Sequence, residues 1–466
     1  MSTPTTDVQT ATPTGTGFET TGIERVEESN RAHTQLLDTM WLWWSANSVV
    51  ATVALGTLSA FFGLGFWGTI AVIVVFNLLG ALPVAFLSTL GPKTGLAQMP
   101  ISRFAFGLQG AKLPAIFNAI ACIGWSAVNA IIGASLLVAW SDGKIPAWGA
   151  LLILAALTTL VSVFGYFIVH RYERIAWIPM FILFAYVFFV AAPHFNVAIP
   201  ATVSGMALFA SVMTFGGAIF GFAVGWTSYA ADYTRRQPAS TSASKVFTYA
   251  LLGVTVPCVV LEVLGALLAT TVKELPNATG TLIAGSLGGG VIASIVVLLL
   301  AFSTIANNVP NDYSFALSLQ VLGVRVPRWI LTIVGAVVYI ILALALQSNF
   351  NLNLEGFLLL IAYWLGGYSI ILYLENRFRR GSYPVQDYEN GSKLPVGWAA
   401  VAAMILGLVV AVLGINQAAT IGFQGPLSKM LGGAPYGADI GFPLAVIVTG
   451  ILYYILRKVE MSRTGR

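Results

Sequence analysis

Three asparagines and a proline stand within five residues of one long apolar run, Asn307-Asn308-Val-Pro310-Asn311, with Ser303-Thr304 one turn before them. Ser303, Asn307 and Asn311 recur every four residues and so share one helical face. An amide in hydrocarbon is costly unless it is bonded, and Pro310 removes an N–H and frees a carbonyl near Ala306. Packing alone does not explain that density of polar atoms. Neutral amides donate and accept together, which suits an uncharged ligand with ring nitrogens beside carbonyls.

Three other apolar runs carry polar groups or glycines at mid-depth. Asn118, Cys122, Trp125 and Asn129 lie on one helical face, where an indole beside an amide offers a stacking surface and a hydrogen-bonding edge to a flat polar heterocycle. The same Trp also reads as packing or as an interface anchor. Ser45, Asn47, Ser48 and Thr52 crowd into two turns, either to satisfy a backbone that leaves helical geometry or to bond between helices. Gly217, Gly221 and Gly225 recur every four residues; this stripe permits close helix packing and also an unwound segment that exposes backbone groups to a ligand. Glu262 is a carboxyl inside a further run, either a proton carrier or a structural glutamate that is protonated or paired.

Positioning these groups requires a membrane bundle. The chain is 57% hydrophobic and 9% charged, with a mean hydropathy of +0.84, whereas soluble domains are about a quarter charged. Apolar runs near the ~20 residues that cross a bilayer as a helix predict about twelve spans, over 39–61, 67–90, 113–140, 148–169, 175–192, 206–231, 246–272, 290–319, 329–346, 354–374, 396–415 and 440–456. The chain thus divides into a disordered cytosolic tail over 1–38, a transmembrane transporter domain over 39–456 and a C-terminal tail over 457–466. With the N-terminus inside, of the 23 Lys and Arg only Lys144, Lys273 and Lys429 fall in outer loops. That asymmetry predicts cytoplasmic termini in a plasma or inner membrane, and accounts for the net charge of +5 without a nucleic-acid partner.

Enzyme chemistry finds no support. The two cysteines, Cys122 and Cys258, lie in apolar runs, and the three histidines in the tail or loops. Neither a metal-ligand spacing nor HExxH, GxSxG or a P-loop occurs, so transport energy must come from an ion gradient or from the substrate's own gradient. A channel would line several spans with polar residues, while here they concentrate at mid-depth in four. No cofactor and no obligate protein partner is expected.

From Gly22 to the last span the chain resembles the purine-cytosine permease branch of the nucleobase:cation symporters. The resemblance is carried by Gly22-Ile-Glu-Arg-Val, Trp44-Ser-Ala-Asn47, Ala54-Leu-Gly-Thr-Leu58, Asn77-Leu-Leu-Gly-Ala-Leu-Pro-Val-Ala85, Gly91-Pro-Lys-Thr-Gly95, Ile101-Ser-Arg-Phe104, Gly225-Trp-Thr-Ser-Tyr-Ala-Ala-Asp-Tyr-Thr234 and Ala306-Asn-Asn-Val-Pro-Asn311. It implies an all-α membrane fold of two inverted five-helix repeats, leucine-transporter type, plus two peripheral helices, with the first and sixth spans discontinuous. It also implies import of a nucleobase, cytosine or a purine, by symport with sodium or a proton. In the implied site, Trp125 and a residue of the Gly221-Phe222 stretch sandwich the base, Asn129, Asn307 and Asn311 read its edge, and Ser45 contributes from the first span. Ser303 and Thr304 stand where sodium-coupled relatives place hydroxyls, and Glu262 is the alternative for a proton. Allantoin, hydantoin and vitamin B6 are flat heterocycles that the same side chains suit.

Overall fold

The structure, a computed structural model, describes residues 23–466 except 32–34, 165, 325 and 433–436; for 164, 166–175 and 328 it describes the backbone alone. Most of the expected N-terminal tail therefore lies outside the described residues, as do Arg325 and the side chains of Arg171, Arg174 and Arg328.

Each expected span coincides with helix. The first is split into Leu37–Asn47 and Val50–Thr57; then follow Gly65–Ser88, Lys112–Trp140, Ala147–Phe164, Tyr166–Ala191, Gly205–Gly225, Ala243–Ala269, Val291–Val321, Arg328–Leu346, Phe350–Phe378, Trp398–Val412 and Gly441–Thr464. By length and hydropathy alone, the described residues give eight crossing helices, or nine with the bent pair. The lower number has a plain origin. The ninth and tenth spans run together as one stretch, Trp329–Phe378, and the fourth and eleventh retain only Ala147–Val163 and Trp398–Val412 as apolar helix. A two-stranded hairpin, Asn416–Gln417 with Phe423–Gln424, joins the last two spans.

The first span breaks where its polar cluster stands. Its two pieces meet at 57°, across Ser48 and an extended Val49. The polar side chains fold back onto the backbone around the break: Asn47 Nδ2 donates to the Trp43 carbonyl at 2.8 Å, Ser48 Oγ to that of Trp44 at 2.7 Å beside its own N–H, and Thr52 Oγ1 to that of Asn47, the last helical residue, at 2.6 Å. Without Thr52 the buried Asn47 carbonyl would cost about 1–3 kcal/mol.

Where the sixth span was expected to unwind along its glycines, it remains regular helix to Gly225 and tightens into a 3-10 turn over Trp226–Tyr229. The glycines serve approach between helices. A Cβ on Gly221 would lie 2.1 Å from the Leu358 carbonyl oxygen of the tenth span, and one on Gly216 would lie 2.5 Å from the Phe76 ring of the second.

Both described termini share one end of the bundle. There Arg457 bridges Glu375 at 2.9 Å and Glu460 at 3.1 Å, all three buried, and Glu460 accepts the Gly397 and Trp398 N–H groups, which caps the eleventh span. At the same end, residues 23–31 are packed against the bundle. Arg31 donates to the Pro92 carbonyl at 2.6 Å, Arg25 to that of Thr94 at 3.1 Å, and Val26 N to that of Gly95 at 2.9 Å. Glu28 accepts from Ala239 N at 2.9 Å, and Ile23 covers Ala97, Tyr313 and Leu317. Those residues of the expected tail are thus part of the folded body.

Candidate functional site

The third and eighth spans run side by side and bring their amides together. Asn129 Nδ2 donates to Asn308 Oδ1 at 2.9 Å, and Asn307 Nδ2 donates to Asn129 Oδ1 at 3.0 Å. Asn308 in turn donates to the Ser126 carbonyl at 3.3 Å. Further along, Asn118 donates to Ser314 and Ser318, so one face of the third span is bonded to the eighth over several turns. Asn307 Oδ1 is left buried with no hydrogen-bond partner. It is an acceptor without a donor, on a residue that lines the adjoining space.

That space is a small cavity lined by Trp125 and Asn129 of the third span, Phe222, Gly225, Trp226 and Tyr229 of the sixth, and Asn307 and Asn311 of the eighth. Every lining side chain is uncharged. Trp125 is braced edge-on by Phe222, with centroids 5.4 Å apart at 85°, and by Phe357, 5.2 Å apart at 80°. Direct contact between those rings makes Phe222 a support for Trp125 and leaves no room for a base between them. Trp226 supplies a second indole, held by its Nε1–H donating to Asn47 Oδ1 at 2.8 Å and by the Trp43 ring 5.6 Å away. Tyr229 OH donates to Asn311 Oδ1 at 3.0 Å, and Cys122 lies 3.2 Å behind it.

Of the residues expected from sequence, Trp125, Asn129, Phe222, Asn307 and Asn311 share this cavity. Gly221 does not, because it faces the tenth span. Ser45 lines a neighbouring cavity instead, together with Ser48, Val49, Ser303, Ala306 and Asn307. Its Oγ accepts the Trp177 N–H at 3.0 Å. Trp226 and Tyr229 were not among the expected site residues, although Phe222, Trp226 and Tyr229 fall at i, i+4 and i+7, the spacing of one helical face.

The neighbouring cavity sits at the break of the first span, with Asn307 as the wall shared with the first cavity. Ser303 is on it, as is Ala306, whose carbonyl Pro310 deprives of an N–H partner. Thr304 is turned away: its Oγ1 donates to the Ala301 carbonyl and would lie 2.4 Å from a Cβ on Gly133 of the third span. Glu262 is elsewhere again, buried between the first, second and seventh spans with Asn77 donating to it at 2.5 Å. Asp312 and Asp232, which the sequence places nearer span ends, are also buried; Asp312 accepts from Ser162 of the fourth span and Asp232 from the Gln98 backbone.

A broken first span, a sixth span ending in a tight turn and an uncharged cavity between them and the eighth are the architecture of secondary transporters that bind substrate inside the bundle. Residues 25–437 match the family model described as permease for cytosine/purines, uracil, thiamine, allantoin, and the chain belongs to that family of membrane transporters; it is not an enzyme. It is 39% identical to the purine-cytosine permease fcyB of Emericella nidulans, over 96% of this chain and 90% of that protein. The purine-cytosine permease FCY2 of Saccharomyces cerevisiae is 36% identical, over 96% and 87%. The vitamin B6 transporter TPN1 of the same yeast is 29% identical over 97% and 89%. Among solved structures, the nucleobase-cation-symport-1 transporter Mhp1, closed with bromovinylhydantoin bound, superposes with a TM-score of 0.74 at 18% identity, over 95% of this chain and 96% of that one. The fold is accordingly the leucine-transporter type, two inverted five-helix repeats with the eleventh and twelfth spans outside them.

Proposed function

We propose that the protein imports a nucleobase, cytosine or a purine, by cation symport with alternating access. The observation that carries this reading is the uncharged cavity with indoles for the faces of a flat ring and a row of amides for its edge. An amino acid or a nucleotide would bring charges that nothing in the cavity meets, and a buried unpaired charge is costly. A base brings neither. Its ring N–H groups match the open acceptor at Asn307 Oδ1, and its carbonyl or ring nitrogens match the amide hydrogens of Asn129 and Asn311.

Likeness to purine-cytosine permeases at 34–39% identity over about 96% of the chain supports the same substrate class. The proposed binding residues are Trp125, Asn129, Trp226, Tyr229, Asn307 and Asn311, with a monovalent cation as the coupled species. Basic residues at the end that holds both termini support cytoplasmic termini. The deciding experiment is uptake of radiolabelled cytosine and adenine challenged with hypoxanthine, uracil, allantoin, pyridoxine and a set of amino acids. Competition among the bases is the expected result; competition by amino acids with none from the heterocycles refutes the assignment.

A further inference from the structure

We propose that Glu262 takes up and releases the co-transported proton, and that Asn47, at the break of the first span, links its protonation to occupancy of the base cavity through Trp226. This rests on the symport reading above and names the ion and its residue. Glu262 is fully buried. Its Oε2 accepts from Asn77 Nδ2 at 2.5 Å, and the same nitrogen donates to the Ile73 carbonyl at 2.9 Å. Both hydrogens of that amide are therefore engaged. Glu262 Oε1 and Asn77 Oδ1 remain buried with no hydrogen-bond partner, so this pair of residues has an excess of acceptors and lacks a donor. A proton on the carboxyl supplies that donor and removes the charge.

Nothing else nearby does so. Among the described residues no salt bridge reaches Glu262. From the first span it meets the backbone at Gly56, where a Cβ would lie 1.9 Å from the Glu262 carbonyl oxygen, and from the second it meets Asn77; neither group titrates. Cys258, one turn earlier on the seventh span, is its titratable neighbour. Gly265 repeats the close approach, with a Cβ there 2.0 Å from the Val53 carbonyl oxygen. With Glu262 fully buried and backbone packed on backbone beside it, proton exchange calls for a rearrangement that admits water to the carboxyl.

A short set of contacts runs from Cys258, one turn from this carboxyl, to the base cavity. Cys258 Sγ donates to Asn47 Oδ1 at 3.1 Å, and Trp226 Nε1, on the cavity wall, donates to the same oxygen at 2.8 Å. The other ends of Asn47 hold the break itself, through Trp43 and Thr52. A base seated against Trp226 and a proton seated on Glu262 thus bear on one side chain at the hinge, from opposite sides. Any preference of one ligand for a position of the first span is then felt equally by the other. In the transport step the carboxylate accepts a proton from water on one side of the membrane and returns it to water on the other, with no other bond made or broken.

Purified wild type, Glu262→Gln and Asn47→Ala in proteoliposomes separate the possibilities. Exchange of radiolabelled adenine or cytosine across the membrane reads the base site; accumulation under an imposed pH gradient without sodium reads coupling. Wild type is expected to accumulate base about tenfold per pH unit at one proton per base. E262Q should exchange base yet show an accumulation ratio of one, and N47A should flatten the pH dependence of apparent base affinity. Infrared difference spectra give a readout that needs no substrate: a carboxylic acid C=O band that changes with pH in wild type and is missing from E262Q. Accumulation by E262Q equal to wild type, an unaltered band in E262Q, or uptake driven by a sodium gradient and not by pH each overturns the assignment. If the band is lost in E262Q while wild type exchanges no base, the substrate reading fails and Glu262 as the proton site stands.

Discussion

Replacing Trp125 with alanine removes a cavity face whose orientation is fixed from two sides, by Phe222 and Phe357. Stacking of a base on an aromatic ring contributes about 1–3 kcal/mol, which corresponds to a loss of about five- to a hundredfold in affinity. The ring is half-buried and its packing partners belong to the sixth and tenth spans, so truncation also lets Phe222 and Phe357 relax into the vacated space. That pushes the expected loss toward the upper part of the range. Trp125→Phe keeps a ring between the same supports and should lose only a few-fold. Affinity is measured as the half-saturating concentration of unlabelled base in competition with labelled base on purified protein, which separates binding from expression. Monodispersity in detergent confirms that the variant is folded. An alanine variant that is monodisperse and binds within twofold of wild type would show that no base stacks on Trp125, and the cavity would not be the binding site.

Asn307→Ala removes the open acceptor, so bases that present a ring N–H there should weaken by about tenfold, the scale of one buried hydrogen bond, while bases lacking it change little; a competition panel reads the difference. Gly221→Ala should lower the yield of folded protein without changing the affinity of the fraction that survives, because its Cβ meets the Leu358 backbone and not the cavity; fluorescence-detected size exclusion with binding on the recovered peak checks both. Thr304→Ala should leave the cation dependence of uptake within twofold of wild type, because its hydroxyl faces the third span; uptake under imposed sodium and pH gradients checks it. Single cysteines at Lys144 and Lys393 should label from opposite sides of intact cells, the first from outside; the reverse pattern inverts the topology.

Much of the site was legible because hydrocarbon makes polar residues conspicuous. Asn129, Asn307 and Asn311 have no reason to stand in apolar runs unless something bonds them, and the structure joins them into one row. The break in the first span was legible for the same reason, since Asn47, Ser48 and Thr52 bond the backbone around it. Glycine was ambiguous. Gly221 and Gly225 permit both unwinding and close approach, and only the position of the tenth span shows that approach is what Gly221 serves. Trp226 and Tyr229 were hidden by ordinary character, because an aromatic residue near a span end reads as packing or an interfacial anchor. Ser303 and Thr304 are adjacent in sequence, but successive residues on a helix point about 100° apart. One therefore reaches the cavity and the other the third span, a difference that sequence spacing leaves open until the neighbouring helices are in place.

Residues 23–31 join parts of the bundle that are distant in sequence. They are bonded to the connection after the second span through Pro92, Thr94 and Gly95, and to the connection after the sixth through Ala239, and they rest on the eighth span at Tyr313 and Leu317. Any passage opening at this end by separating those connections must either carry the strap with one of them or tear it from the other. Residues 23–31 therefore fasten those connections together across a seam. A tag or fusion placed just ahead of residue 23 loads that fastening directly, and one placed after Arg466 bears on the ion cluster of Glu375, Arg457 and Glu460 instead.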